Sequence, residues 1–350
     1  MGESSLHSLR PSLKYIIPSV FVHRYRDLDP NIRAECVRAI GLWFRKYPGH
    51  FLDASYLRYV GWVLSDSHTL VRVEAVKALA GVYDQADYIT SLSHFTERFK
   101  PRLLEMATSD TELSVRVAVI QVLGFLDSHS LLEEEEREKL CLLVFDEEPK
   151  VRRAVSQFVR GVWEEVAEER LVGRGKPSVE DTTRAGVKAL ASLLVKWGKV
   201  LDKLVDDEEE GSDGGGPEGG EGVNGASRRG NRRKEVVALV GAEQQGRIAL
   251  AVEALWDEVE PISDWEGLLD LLLLDHSAVG EGNDGRPTPR ARANGKKSGD
   301  EVVVDTIWRL EEIEESVLLQ VLVAALRRAK AESSGAKKVG GCVSVMLILY

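Results

Sequence analysis

Cysteine is scarce in this 350-residue chain: Cys36, Cys141 and Cys342 stand far apart, with no C-x-x-C pair among them. Such spacing excludes a disulfide framework and a zinc site, and leaves the three as small buried hydrophobes. Long apolar runs are missing too. No stretch reaches the roughly 18 residues that a membrane span needs, and no membrane partner is expected. The opening MGESSLHSLRPSLKYII has neither the compact apolar segment nor the small-residue cleavage site of a secretory signal. Catalytic elements are absent as well. GRGKP at 173–177 and NGKKSG at 294–299 miss the spacing of a phosphate loop. The seven histidines show no H-E-x-x-H, and there is no G-x-S-x-G to present a nucleophile. A non-enzymatic protein with no catalytic residue, cofactor or metal is expected.

Charge is plentiful but uneven. The net charge of -11 is concentrated in EEEERE at 133–138, DEE at 146–148 and DDEEEGSDGGGPEGGEG from 206. Residues 20–126 hold 13 basic and 12 acidic side chains, so the acidic whole does not exclude a local basic face for DNA.

A repeat dominates the first half. An acid stands six residues before an arginine that follows a branched aliphatic residue, at Asp27/Arg33, Asp66/Arg72, Asp110/Arg116 and Asp146/Arg152. Beyond each arginine, positions three, four and seven are mostly apolar: Cys36, Val37, Ile40; Ala75, Val76, Leu79; Val119, Ile120, Leu123; Val155, Ser156, Val159. That is one helical stripe, repeated. Arginine spacings of 39, 44 and 36 residues bracket the roughly 40-residue helix pair of HEAT arrays, whereas ankyrin and TPR units are shorter. The fold class is therefore all-α, a HEAT-repeat superhelical solenoid with two polar inserts expected to be disordered.

Each part of the pattern has a physical role. The aspartate can accept bonds from the free amides that open the second helix, and Pro30 and Pro149 fit the first helical turn, where a missing N–H costs nothing. The arginine can reach the turn aspartate of its own or of the neighbouring repeat, which would fix repeat stacking. Helices are expected at 51–64 and at 92–107, the second kinked at Pro101. The expected organisation is an N-terminal segment (1–17), HEAT repeats (18–165), further helices (166–205), an acidic, Gly-rich and then basic linker (206–234), a helical segment (235–280), an insert (281–300), a helix (301–332) and an irregular, abruptly ending tail (333–350).

Candidate binding residues follow from helical faces. At ~100° per residue, Trp62 falls opposite Tyr56, Leu57, Val60, Val63 and Leu64 and beside Arg58. An indole there either packs on a neighbouring helix or anchors a partner, and the anchor is favoured because exposed Trp and Arg dominate interface energetics. Tyr25, between Arg24 and Arg26, precedes Trp62 by 37 residues, close to one repeat, so stacked helices would place both rings on one patch suited to an aromatic-bearing extended peptide. Trp43 and Trp163 continue apolar stripes and are expected in the core. Arg24, Arg26, Arg45, Lys46, Arg98, Lys100 and Arg102 could touch phosphates from helix ends, although a solvated, balanced surface accounts for them equally. Arg228, Arg229, Arg232, Arg233 and Lys234 form a basic knot of nuclear-localisation or nucleic-acid type. Thr288-Pro289 offers a proline-directed phosphorylation dipeptide.

The segments SVFVHRYRDLDPNIRAECVRAIGLWFRKYPGHFLDASYLRYVGWVLSDSHTLVRVEAVKALAGVY and FTERFKPRLLEMATSD resemble the stromalin conservative domain of cohesin SA-type subunits, over about residues 18–128 and more weakly to 165. The resemblance implies a nuclear, chromosome-associated HEAT scaffold in sister chromatid cohesion. It would bind the kleisin subunit, regulators with aromatic peptide motifs and double-stranded DNA, and reach the ring ATPases indirectly. It further implies that Tyr25, Arg26, Asp53, Arg58 and Trp62 form the partner-binding patch, with Arg58 where the family often has lysine. Composition and repeat alone would also permit a nuclear HEAT scaffold of transport or phosphatase type, or a mainly DNA-binding module indifferent to Trp62.

Overall fold

The computed structural model describes residues 21–172, 176–210, 246–274, 276 and 308–336, and among these there are helices and no strands. The described residues fall into two compact units, one of 21–158 with 207–210 and one of 159–206 with those from 246 onward. None of their helices is long and apolar enough to cross a membrane.

The first unit pairs helices as the repeat requires. After a single turn at Val22–Arg24 come α1 (Pro30–Lys46), α2 (Ala54–Val63), α3 (Thr69–Tyr83), α4 (Ile89–Ser109), α5 (Leu113–Ser128), α6 (Glu134–Cys141) and α7 (Pro149–Leu171). The arginine-bearing helices pack side by side, α1 on α3 and α3 on α5, while α2 and α4 form the other layer. The predicted stripe is the core: Val37, Ile40, Ala75, Val76, Leu79, Val119, Ile120, Leu123, Val155 and Val159 are buried. Helix α3, with neighbours on both sides, also buries Arg72 and Glu74. Within each layer, neighbouring helices approach closely at a glycine. A Cβ on Gly41 would lie 2.8 Å from Ala78 Cβ, and one on Gly61 would lie 2.3 Å from Phe99 Cζ. Of the cysteines, Cys141 is buried, Cys36 is half-buried, and Cys342 lies outside the described residues.

The arginine–aspartate pattern resolves into a ladder with a fixed direction. Each turn aspartate accepts from the amide two residues on: Asp27 from Asp29 at 3.0 Å, Asp66 from His68 at 2.8 Å, Asp110 from Glu112 and Asp146 from Glu148 at 2.9 Å. The acceptor therefore serves the residue that caps the helix, not the helix's own first turn; at α1 the cap residue Asp29 itself accepts from Asn31. The carboxylates of Asp66, Asp110 and Asp146 also face the previous repeat. Arg33 grips Asp66 with two bonds of 2.7 and 2.8 Å, Arg72 grips Asp110 with two of 2.8 Å, and Arg116 pairs with Asp146. The remaining nitrogen of Arg33, Arg72 and Arg152 donates to the carbonyl of its own turn aspartate at 2.8–2.9 Å. One planar guanidinium thus ties two repeats together, a geometry lysine cannot supply.

This ladder carries a pH dependence. Burial pushes the Asp66 carboxyl up, but the Arg33 guanidinium and the His68 amide outweigh it and hold the group below its ordinary value. A depressed folded value means stability present above the unfolded value, about 3.9, and lost as pH falls through the folded one. Asp66→Asn should be less stable than the parent at neutral pH, and the gap should begin to narrow below about pH 3.9 and close as pH falls through the lower folded value; urea unfolding from pH 7 to pH 2.5 measures it. A gap that stays constant with pH would remove this carboxylate from the linkage.

Expected element bounds differ in three places. The segment 51–64 is broken: Pro48–Phe51 forms a short turn and α2 starts only at Ala54, because the Asp53 side chain accepts from the Ser55 amide and caps it. Helix α4 runs uninterrupted through Pro101 from Ile89 to Ser109. The acidic stretch from 206 begins as helix rather than linker.

In the second unit, α8 (Val179–Glu210), α9 (Arg247–Leu255), a short Glu260–Ser263 turn, α10 (Trp265–Leu272) and α11 (Glu312–Ala336) follow one another. Helix α11 begins at Glu312, within the span 301–332 expected to be helical. Its core includes a buried ion pair, Lys188 with Glu314, whose carboxylate also accepts from Ser192 Oγ at 2.9 Å and the Glu311 amide at 2.8 Å. The basic knot 228–234, the insert 281–300 with Thr288-Pro289, and most of the tail lie outside the described residues.

Candidate functional site

The feature most unlike ordinary repeat packing is an aromatic cluster spanning the Phe21–Tyr25 turn and α2. Tyr25 donates its amide to Phe21 O at 3.0 Å, and the two rings stack with centroids 6.1 Å apart. Tyr59 meets both edge-on, at 5.3 Å from Phe21 and 4.8 Å from Tyr25. Trp62, three residues along the same face of α2, stacks on Tyr25 at 6.1 Å and meets Tyr59 edge-on at 5.6 Å. These are preferred geometries for interacting rings, so the indole is held by neighbours on two sides.

Two cations flank it. Arg26 lies 5.1 Å from the Tyr25 centroid and 5.6 Å from Trp62. Arg58 lies 5.2 Å from Tyr59 and 5.6 Å from Trp62. Both are within cation–π range, and among the described residues no ion pair joins either to a carboxylate. Trp62 itself stays 39% exposed. The result is a pinned, half-exposed indole between two guanidinium planes, with no metal-binding group of His, Cys, Asp or Glu among the described residues.

The predicted patch is thus partly assembled and partly corrected. Trp62, Arg58, Arg26 and Tyr25 come together. Tyr25 is not a displayed anchor, however: it is only 5% exposed, because its ring is the floor on which Trp62 and Tyr59 rest. Asp53 does not join them. It caps the far end of α2, accepting from the Ser55 amide at 2.9 Å, nine residues and about 13 Å along the axis from Trp62. The Ser55 hydroxyl and amide hold its carboxyl below the ordinary value. Phe21 and Tyr59 were missed in the sequence, although the spacings Phe21–Tyr25 and Tyr59–Trp62 were there to mark them. Trp43 and Trp163, expected in the core, are half-buried: Trp43 packs on Phe21 and Phe51 at 6.0 and 5.2 Å, and Trp163 donates Nε1–H to Gly186 O at 2.9 Å.

The basic candidates divide. Arg24, Arg45, Lys46 and Arg98 are exposed; Arg24 pairs with Asp27 at 2.6 Å, while Lys46 and Arg98 lie over the rings of Tyr47 and Phe99. Lys100 is a structural tie instead, largely buried, bonded to Glu136 at 2.7 Å and Leu131 O at 3.2 Å. Arg102 likewise donates to Leu64 O at 3.3 Å and pairs with Glu105 at 2.9 Å. Neither offers its charge freely to a phosphate.

Known proteins bear on this arrangement. The stromalin conservative domain matches residues 26–100, inside the span expected from the sequence. Cohesin subunit psc3 of Schizosaccharomyces pombe is 41% identical over 153 residues, 44% of this chain and 16% of that protein. Sister-chromatid cohesion protein 3 of Arabidopsis thaliana is 36% identical over 152 residues, 43% of this chain and 14% of that protein. Cohesin subunit SA-1 of Xenopus laevis is 28% identical over 318 residues, 90% of this chain and 19% of that protein. The chain therefore spans less than a fifth of the length of these relatives. Among solved structures, the cohesin subunit Scc3 from Z. rouxii superposes with a TM-score of 0.59 at 22% identity, over 92% of this chain and 31% of that one, which supports the helical-repeat fold. With the matched segment running from Arg26 into α4 and holding Arg26, Arg58 and Trp62, the chain carries the stromalin conservative domain of cohesin SA/Scc3-type subunits.

Proposed function

We propose that this chain serves as a non-enzymatic scaffold in the cohesin complex, in the nucleus and on chromosomes, where it presents a rigid docking patch to other cohesin proteins. The observation that carries the reading is the Trp62 indole, half-exposed yet held on Tyr25 and Tyr59 between Arg26 and Arg58. A pinned ring loses little freedom when it binds, and its guanidinium neighbours favour a partner segment that brings aromatic rings together with carboxylates. The kleisin subunit and regulators with aromatic peptide motifs fit that description, with the ring ATPases reached through kleisin. Arg24, Arg45, Lys46 and Arg98 are the side chains offered to DNA phosphates, and such contacts weaken steeply with salt.

Affinity capture of the tagged chain from nuclear extract, read by mass spectrometry, tests the assignment. Kleisin and the ring ATPases should be recovered, with recovery reduced for Trp62→Ala. Enrichment of a nuclear transport or phosphatase assembly in their place would overturn the cohesin reading.

A further inference from the structure

The outward face of α11 is apolar where a solvent face should be polar. Leu319, Val323 and Leu326 are 53%, 46% and 46% exposed. With Glu312, Ser316 and Lys330, also exposed, they follow successive spacings of 4, 3, 4, 3 and 4 residues. That alternation is the seam of a coiled coil, about 27 Å long at 1.5 Å per residue. The seam is distinct from the face that packs on the unit, which buries Leu318, Val321 and Ala325. Arg328 turns toward that inner side, its guanidinium 5.1 Å from the Trp256 centroid and donating to Glu253 O at 2.9 Å.

The order of residues along the seam selects the partner. One end is acidic, the other basic and the centre apolar, so reversing the helix direction maps the seam onto itself. In a two-fold antiparallel pair, Leu319 meets Val323 of the second copy, Ser316 meets Leu326, and Glu312 meets Lys330. The paired positions sum to 642 in every case, so a single register satisfies all three kinds of layer. A parallel pair would set Glu312 against Glu312 and Lys330 against Lys330, like charges at both ends. We propose that α11 is a self-association surface that seats a second copy of this chain antiparallel, through Leu319, Val323 and Leu326, with Glu312–Lys330 pairs closing both ends. The interface is isologous, and its small apolar area places it among weak, reversible associations, roughly micromolar in dissociation constant.

Sedimentation equilibrium of the full chain between about 1 and 200 µM, a range set around that constant, tests the proposal. The weight-average mass should rise with concentration toward twice the monomer. Glu312→Lys and Lys330→Glu each make both ends of the seam alike in sign, and each alone should weaken the dimer about tenfold. Mixing the two variants restores opposite charges at both ends and should recover a heterodimer of near-parental affinity. Val323→Glu should abolish association while its circular dichroism stays unchanged. A parental chain that stays monomeric throughout would overturn the proposal. So would a dimer indifferent to both charge reversals, or variants that fail to associate when mixed.

Discussion

Arg72→Ala should lower the stability of the first unit by about 3–5 kcal/mol. The side chain is nearly fully buried and makes two 2.8 Å bonds to Asp110, with further bonds of 2.9 Å to Asp66 O and 3.2 Å to Ser67 O. Truncation strips the Asp110 carboxylate, buried between α3 and α5, of its counter-charge and leaves it the Glu112 amide at 2.9 Å. A buried ion that loses its partner costs far more than the pair contributes, because the desolvation penalty is no longer offset. The double replacement Arg72→Met, Asp110→Leu should therefore be less damaging than Arg72→Ala alone. Arg38→Ala serves as the contrast. Its guanidinium is 45% exposed beside Glu35 and Glu74, Glu74 keeps Lys77 at 3.0 Å, and the loss of Arg38 should cost far less than that of Arg72. Urea unfolding followed by far-ultraviolet circular dichroism resolves these classes. A loss below about 1 kcal/mol for Arg72→Ala would mean that apolar packing alone sets the repeat stacking.

The sequence announced this ladder but not its direction. An acid six residues before an arginine is visible at Asp66/Arg72, yet the spacing leaves open whether the arginine takes its own aspartate or the neighbour's. The structure divides the job: the neighbour's carboxylate and the turn's own carbonyl. Arg116 departs from the others by donating Nε–H to Ala107 O at 3.0 Å, after the longest of the three repeat spacings. At the site, Trp62 was legible because α2 is regular, so the angle between its apolar and polar faces can be counted at 100° per residue. Tyr25 was legible as a neighbour of Trp62 from the 37-residue spacing, but its burial was not, since it ends a single helical turn with no periodicity to count. Lys100 and Arg102 looked free because their partners Glu136 and Leu64 are 36 and 38 residues away, a separation that only the fold closes.

The division of labour between Tyr25 and Trp62 leads to opposite outcomes for two similar truncations. Tyr25→Ala empties the floor of the aromatic cluster and should destabilise the first unit by about 3–5 kcal/mol, as loss of a buried ring does. Trp62→Ala removes a ring that is 39% exposed and should cost only about 1–2 kcal/mol, yet weaken partner binding at least about 30-fold, the loss expected of a central anchor. Tyr25→Phe keeps the ring contacts with Phe21, Tyr59 and Trp62 and should leave both properties near those of the parent. Thermal unfolding alongside calorimetric titration of a kleisin fragment separates the two roles. If Trp62→Ala binds like the parent while remaining folded, the indole is a packing element and the docking face lies elsewhere on the repeats. If Tyr25→Phe loses binding with stability intact, the phenol hydroxyl reaches the partner past Trp62, and the cluster must open on binding to expose it.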